Sequence, residues 1–388
     1  MTKKVKFTNI NKSTFYATVR KRVDGYFEEN QLSVHANSAM WFKAVFFLAT
    51  FIVLYLSILL GDLNIYLKLS MAILLGMFGA FVGFNICHDA IHKAFSANQT
   101  VNKTFSFLFS LIGASAYVWS ICHNIVHHTY TNISGHDEDI DVAPGLIRFS
   151  EDEPVNKIQR YQHIYAFGLY SLAMLSWVFR KDYKKFFQTK IGSQVANHPK
   201  IEYFNLFFFK FLYYFLFIIL PLIVIDVTWW QFIIGFLAMQ FAQGLVLGLV
   251  FQLAHVVEGT SFPLPNNDGN IEEAWAAHQM MTTANFAVNS KVAAFLCGGL
   301  NRQVEHHLFP KICHIHYPAI GKIVKETALE FNLPYIESPT FFSALASHYR
   351  MLRKLGKEAY VAKEGANVKP CMLVATEINI IQPLQIVK

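Results

Sequence analysis

The sequence is short of charge. Only 15% of its 388 residues are Asp, Glu, Lys or Arg, against about 25% in an ordinary soluble domain. Hydrophobic residues make up 54%, with 37 phenylalanines among them. So little polar material cannot cover the surface of a water-soluble fold, which leaves the membrane class. Cysteine is scarce as well. Cys87, Cys122, Cys297, Cys313 and Cys371 form an odd set without a CxxC pair. A disulfide framework and a cysteine-based zinc motif are therefore excluded, and the five read as reduced cytoplasmic thiols. No apolar leader opens the chain: its first stretch is basic and polar, so no cleavable signal peptide is expected. No repeat is visible beyond two apolar hairpins.

What charge there is leans positive, with a formal net of +7. Lys3, Lys4, Lys6, Lys12, Arg20, Lys21 and Arg22 precede the first apolar run, and Arg180, Lys181, Lys184, Lys185 and Lys190 form a second group. Basic clusters beside apolar spans mark cytoplasmic loops by the positive-inside rule. Their scatter among aromatics and spans argues against a nucleic-acid partner.

A membrane-crossing helix needs about 20 apolar residues. Residues 44–60 and 65–86 read as one hairpin around the turn Gly61-Asp62-Leu63-Asn64. Residues 203–225 and 229–253 read as a second, with Lys210 placed to snorkel toward the headgroups and Trp229 and Trp230 at the interface. Gly244 and Gly248 give the last span a small-xxx-small face, read as close helix packing ahead of a wall for an acyl channel. Two shorter runs, 105–119 and 164–179, are settled by parity. If exactly one crossed, the histidines after the second hairpin would face away from those after the first. Both are therefore expected to be interfacial or re-entrant. The expected fold is an all-α integral membrane protein: four transmembrane helices in two hairpins under a cytoplasmic helical cap. The expected organisation is a basic cytoplasmic segment over 1–40, a membrane domain over 41–325, and a C-terminal helix and tail over 326–388. No helical period is visible in the tail after about Lys363.

Sixteen histidines stand against this frame, most of them at the cytoplasmic span ends. His88-Asp-Ala-Ile-His92 sets two imidazoles at i and i+4, on one helix face. His123-Asn-Ile-Val-His127-His128 repeats the spacing and adds a neighbour, and Gln303-Val-Glu-His306-His307 adds another pair. His255 stands alone at the end of the fourth span, and His278 lies in Trp275-Ala-Ala-His278-Gln279. His35, His163, His198 and His348 read as surface or satisfied core residues. Gathering so many imidazoles on one face is unfavourable unless their lone pairs bind something, and imidazole suits iron, zinc, copper or nickel. Eight or so donors exceed what one ion takes, so two ions fit better. Soluble di-iron bundles use carboxylates with Glu-x-x-His motifs; neither hairpin carries one, which points to a histidine-rich dimetal site.

At these residues the chain resembles the membrane fatty acid desaturase superfamily, whose signature is three histidine boxes around a di-iron centre. The resemblance covers about residues 40–325. The glutamine that opens the third box, Gln303, is similar to that of front-end desaturases, which place a double bond on the carboxyl side of an existing one. Thr129-Tyr130-Thr131-Asn132, Asn285-Phe286-Ala287 and Gly298-Gly299-Leu300-Asn301 resemble bacterial acyl-lipid and linoleoyl-type members. The resemblance implies two iron ions held by His88, His92, His123, His127, His128, His255, His306 and His307. Gln303 and His278 could join them or support them, and Asp89, Asp137, Asp139 and Glu305 are candidates to orient the ligand imidazoles. His136, His314 and His316 are read as supporting or surface residues.

The implied activity is oxygen-dependent insertion of a cis double bond into a fatty acyl chain carried on lipid, coenzyme A or acyl carrier protein. Hydroxylation by the same superfamily chemistry is the nearest alternative. A transporter or metal carrier is the alternative of another class. Transport sites usually sit near the bilayer midplane, whereas these histidines lie at span ends. Front-end relatives often carry a fused haem domain with a His-Pro-Gly-Gly motif. That motif is missing here, so a separate donor is expected, a ferredoxin or a cytochrome b5-type protein, in what is expected to be a bacterial inner membrane with the site facing the cytoplasm.

Overall fold

The computed structural model describes residues 5–137, 139–140, 143–191, 194–195 and 197–367. Four helices are long and apolar enough to cross a bilayer: Ser38–Leu60, Ile65–Ile91, Lys200–Val224 and Trp229–His255. They form the two hairpins expected from the sequence. Asn37 and Asn64 start the first two by accepting from the backbone N–H of Met40 and Leu67, at 3.0 and 2.9 Å, which satisfies donors that a helix start leaves unpaired. The helices run on through the polar residues at their histidine-bearing ends, so the second span carries the start of the first histidine box and the fourth ends at His255.

The second span is the hub: 61% of it is buried inside the protein, against 17–28% for the other three. Small residues allow this. A Cβ on Gly76 would overlap the Met239 carbonyl of the fourth span, and one on Gly79 would crowd Gln243. Gly244 packs as tightly on the Ser171 carbonyl, so its face is a packing face, as expected. Gly248 sits against Tyr170 and also lines a cavity beside the histidines. The first and third spans turn Phe42, Val45, Val53, Phe204, Phe211 and Ile223 outward, where lipid takes the place of protein.

The short run near 105–119 proves to be a broken helix. Gln99–Leu111 and Ala116–Tyr130 meet at 111°, with Gly113 at φ +114° in the turn, a conformation that glycine adopts without strain. His92, just before the first arm, and His123, in the second, join one cluster, so the pair enters and leaves on the same side. The run near 164–179 becomes Gln162–Ser171, Ala173–Ser176 and a wider turn at Trp177–Lys181, packed along the fourth span. Lys210 corrects the sequence reading. It does not snorkel: it is 4% exposed, with its Nζ 2.8 Å from Asp182 Oδ2 and bonded to the carbonyls of Gly113 and Trp177. Asp182 also accepts from Ser115 N–H at 2.6 Å, so this pair pins the bend to the third span.

The cap covers the end of the spans that carries the histidines. Phe15–Glu29 presents Phe15, Val19, Val23 and Phe27 at four-residue spacing, an apolar stripe that packs on Ile320, Val324 and Ala328 of Tyr317–Glu330. The fold is not purely helical. Lys6–Phe7 pairs in parallel with Asn270–Ile271, and Ala284–Phe286 with Ile336–Ser338, while Lys190–Ile191 pairs antiparallel with Gln194–Val195. The two parallel ladders tie the start of the described chain and the segment after Tyr317–Glu330 to the stretch between the second and third boxes. The last helix, Ala359–Asn367, runs past Lys363; the rest of the tail, with Cys371, lies outside the described residues. Cys87, Cys122, Cys297 and Cys313 are all buried and unbridged.

Candidate metal centre

The histidines reach one place because three helices end there. Just before His88 the second span widens into a π-type turn, Gly83–Cys87, and the second box lies within another, Ile121–His127. Such turns re-aim side chains and are common at functional sites. In the wider turn His123 and His127 come nearly parallel, with ring centroids 5.1 Å apart and planes 19° from each other. The third box sits on the short helix Gln303–Leu308. Asn285 holds that helix in place, accepting from Val304 N–H at 3.0 Å and donating to Glu305 at 2.9 Å.

Two clusters result. His88, His92, His123 and His306 bring ring nitrogens within 4.8 Å of one another, and His127, His255 and His307 do the same. His128 lies between them. Its ring centroid is 4.6 Å from that of His306 and 4.4 Å from that of His307, and its Nε2 is 3.2 Å from His123 Nε2. His255, isolated in sequence, is 4.7 Å from His127 by ring centroid.

The outer nitrogens of these rings are tied down. His127 Nδ1 donates to Asp137 at 2.9 Å and His123 Nδ1 to Asp139 at 3.2 Å. His307 Nδ1 donates to Gln279 Oε1 at 2.7 Å and His255 Nδ1 to the Thr282 carbonyl at 3.3 Å, while His306 Nδ1 meets the Tyr317 hydroxyl at 3.2 Å. A proton fixed on Nδ1 leaves the lone pair on Nε2. The Nε2 atoms of His92, His127, His255, His306 and His307, and both ring nitrogens of His88, are buried without a hydrogen-bond partner. Burial holds His306 and His307 well below the ordinary imidazole range, reinforced by the neighbouring rings, so both are neutral at pH 7. Buried polar atoms are almost always paired. A group of imidazoles with their lone pairs turned inward fits a metal, and two clusters fit two ions.

The four carboxylates divide. Asp137 and Asp139 reach box-two imidazoles. Burial alone would raise the Asp137 carboxyl, but His127 and the N–H groups of Asn132 and Asp139 hold it below the carboxylate range. Asp89 instead accepts from His314 Nδ1 at 2.8 Å and from Cys313, and its other oxygen is 3.8 Å from His88. Glu305 touches no imidazole. It accepts from Asn285 and from Tyr335 at 2.6 Å, and burial pushes its carboxyl upward.

His278 lies outside both clusters. Its Nε2 donates to the Thr131 carbonyl at 2.9 Å, and burial lowers it to about 4. Its sequence neighbour Gln279 contacts the site instead. Gln303 lines the cavity beside His88 and His123, with its Oε1 buried and unpaired. Among the other histidines, His35, His198 and His348 each bond a neighbour; His163 is buried with its Nδ1 unpaired. His314 and His316 are buried and bonded to Asp89 and the His35 carbonyl, and His136 bonds the Ser134 carbonyl. Gln279, Tyr317 and Thr282 were missed by sequence reasoning, because nothing in the chain marks a residue that touches only the far side of a ring.

Asp137→Asn tests this arrangement. The amide can present an NH₂ where the carboxylate accepts, so His127 loses its fixed tautomer. Metal affinity is expected to fall by about 10- to 100-fold, read by metal content after graded chelation. Unchanged retention would show that Asp137 does not support the centre.

An apolar cavity leads to the first cluster, lined by Phe84, Phe109, Trp119, Trp177, Leu247 and Leu300 and ending at His88 and His123.

Comparison with known proteins agrees with this geometry. Residues 64–339 match the family described as fatty acid desaturase. An acyl-lipid (8-3)-desaturase of the moss Physcomitrium patens is 35% identical over 91% of this chain and 74% of its own length. An sn-1 linoleoyl-lipid 6-desaturase of Synechocystis sp. is 35% identical over 91% of this chain and 98% of its own length. An acyl-lipid (8-3)-desaturase of Mortierella alpina is 31% identical over 89% and 78%.

Proposed function

Because the chain belongs to the fatty acid desaturase family, an oxidoreductase family of the membrane, we propose that it is a front-end acyl-lipid desaturase acting on an unsaturated chain such as linoleate. The observation that carries this reading is the apolar cavity that ends at His88 and His123, two members of the first histidine cluster. A flexible hydrocarbon has no polar handle near its middle, so a shaped, water-excluding cavity is the means of placing one pair of carbons beside the metal.

The proposed ligands are His88, His92, His123 and His306 for one iron and His127, His255 and His307 for the other, with His128 between them. When bound, iron supplies the activation of oxygen needed to remove hydrogen from two adjacent unactivated methylenes. The chain's own residues do the rest. Asp137, Asp139, Gln279 and Tyr317 hold the imidazoles in one tautomer and orientation. Phe109, Trp119 and Trp177 exclude water from the reacting segment. Reduction of oxygen to water takes four electrons and the acyl chain yields two, so a separate donor supplies the other two. The basic residues Arg180, Lys184 and Lys190 suit an acidic donor such as a ferredoxin or cytochrome b5-type protein. The site faces the cytoplasm by the positive-inside rule, and the membrane is a bacterial inner membrane.

The test is expression of the chain with an electron donor in a host lacking polyunsaturated lipids, fed linoleate, with the fatty acids analysed by mass spectrometry. The expected product carries a new double bond on the carboxyl side of the existing ones. A double bond elsewhere would overturn the front-end reading, and a hydroxylated product would move the chain to the sister activity.

A further inference from the structure

Gln252 lies on the fourth span, one turn before His255, and is fully buried. Neither its Oε1 nor its Nε2 has a hydrogen-bond partner, and it lines the same cavity as His88 and His123. A buried amide left unpaired weakens a fold, and leucine would fill similar space without that penalty. The other polar groups on this wall do not answer it. Asp139 bonds His123 and sits 3.6 Å from Lys181, and the Oε1 of Gln303 is itself unpaired.

A partner arriving with the substrate would answer it. The hydrocarbon tail offers no ordinary acceptor; the acyl ester offers a carbonyl. The cavity is also polarised. Asp139, Lys181, Gln252 and Gln303 share it with Phe84, Phe109, Trp177 and Leu247, and the Lys181 side chain, 28% exposed, reaches toward solvent.

We propose that the Nε2–H of Gln252 donates to the carbonyl of the acyl ester and so fixes how many methylenes separate that carbonyl from the histidine clusters. A contact of this kind counts the chain from its carboxyl end. The inference rests on the front-end reading above and names the residue that enforces it.

The test compares the full-length chain with Gln252→Leu and Gln252→Asn in the host described, fed cis-unsaturated acids of three chain lengths. The position of each new double bond is located by mass spectrometry, and thermal unfolding of the purified proteins is recorded. The parent is expected to insert at one position from the carboxyl end for every length. Gln252→Leu is expected to lose about tenfold in kcat/KM, the scale of one ordinary hydrogen bond, and to spread its product over neighbouring positions. It is also expected to unfold no earlier than the parent, because it removes an unpaired buried amide. Gln252→Asn keeps the donor and is expected to keep a narrower product distribution than Gln252→Leu. A leucine variant that yields the single parental product, or that loses thermal stability together with rate, overturns the proposal in favour of a structural role. A parent that counts from the methyl end overturns the front-end reading and this inference together, and that result is read on the parent alone.

Discussion

His306→Ala is expected to abolish double-bond formation and to lower bound iron, with activity falling at least about a hundredfold, beyond the range for disturbing a residue that merely supports a ligand. The geometry explains the size of the effect. The His306 ring lies 4.5 Å from that of His88 and 4.9 Å from that of His92, its Nε2 is turned inward without a partner, and Tyr317 holds its far nitrogen. Alanine removes a donor from the first cluster and leaves His88, His92 and His123 to hold an ion without it. Product analysis and iron per chain are the measurements. His198→Ala serves as the control: that ring bonds Tyr117 and the Phe186 carbonyl, outside both clusters, and its loss should leave iron content unchanged. If the His306 variant kept both iron and activity, the ligand assignment would be wrong.

Lys210→Met is expected to destabilise the fold by about 3–5 kcal/mol, the usual result of removing one partner from a buried ion pair. Asp182 would be left 1% exposed with, among the described residues, the Ser115 N–H as its remaining hydrogen-bond donor. The carbonyls of Gly113 and Trp177 would lose their donor as well. These groups set the bend that carries His123, His127 and His128, so metal retention should fall along with the unfolding temperature. Adding Asp182→Asn to Lys210→Met should recover part of the loss, since the neutral amide still accepts from Ser115 without leaving a charge unpaired. Thermal unfolding of the single and double variants in detergent checks both statements. A Lys210→Met protein as stable as the parent would return Lys210 to the headgroup region.

Much of the fold was legible because its signals are local. A run such as 44–60 is apolar over enough residues to span a bilayer whatever surrounds it, and Gly61-Asp62-Leu63-Asn64 marks the turn before the next. The parity argument for the short runs needed only that all the histidine boxes face one side. The cap helix Phe15–Glu29 was not read from the sequence, where residues 1–40 stood only as a basic segment; its apolar stripe gains meaning from the helix Tyr317–Glu330 it packs on. Other features left no such mark. The small ladders that tie Lys6 to Asn270 and Ala284 to Ile336 join segments far apart in sequence, each too short to show a strand pattern.

The same division runs through the site. The amino-acid sequence determined the class, the hairpins, and which histidines stand at span ends, because hydropathy and i, i+4 spacing are properties of neighbouring residues. It did not divide those histidines into two groups. His255 joins His127 and His307 rather than the first box only because the fourth span packs glycine to backbone against the second and ends at the same depth. It gave Asp89 and Glu305 the same standing as Asp137, although a carboxylate beside a ligand in sequence can point away from it in space. Lys210 shows the point most plainly. By sequence it is a cation in a membrane span and belongs at the lipid surface. The folded chain brings Asp182 and two carbonyls within 3 Å of it, and that pairing, invisible until the third span meets the bent helix pair, keeps it inside.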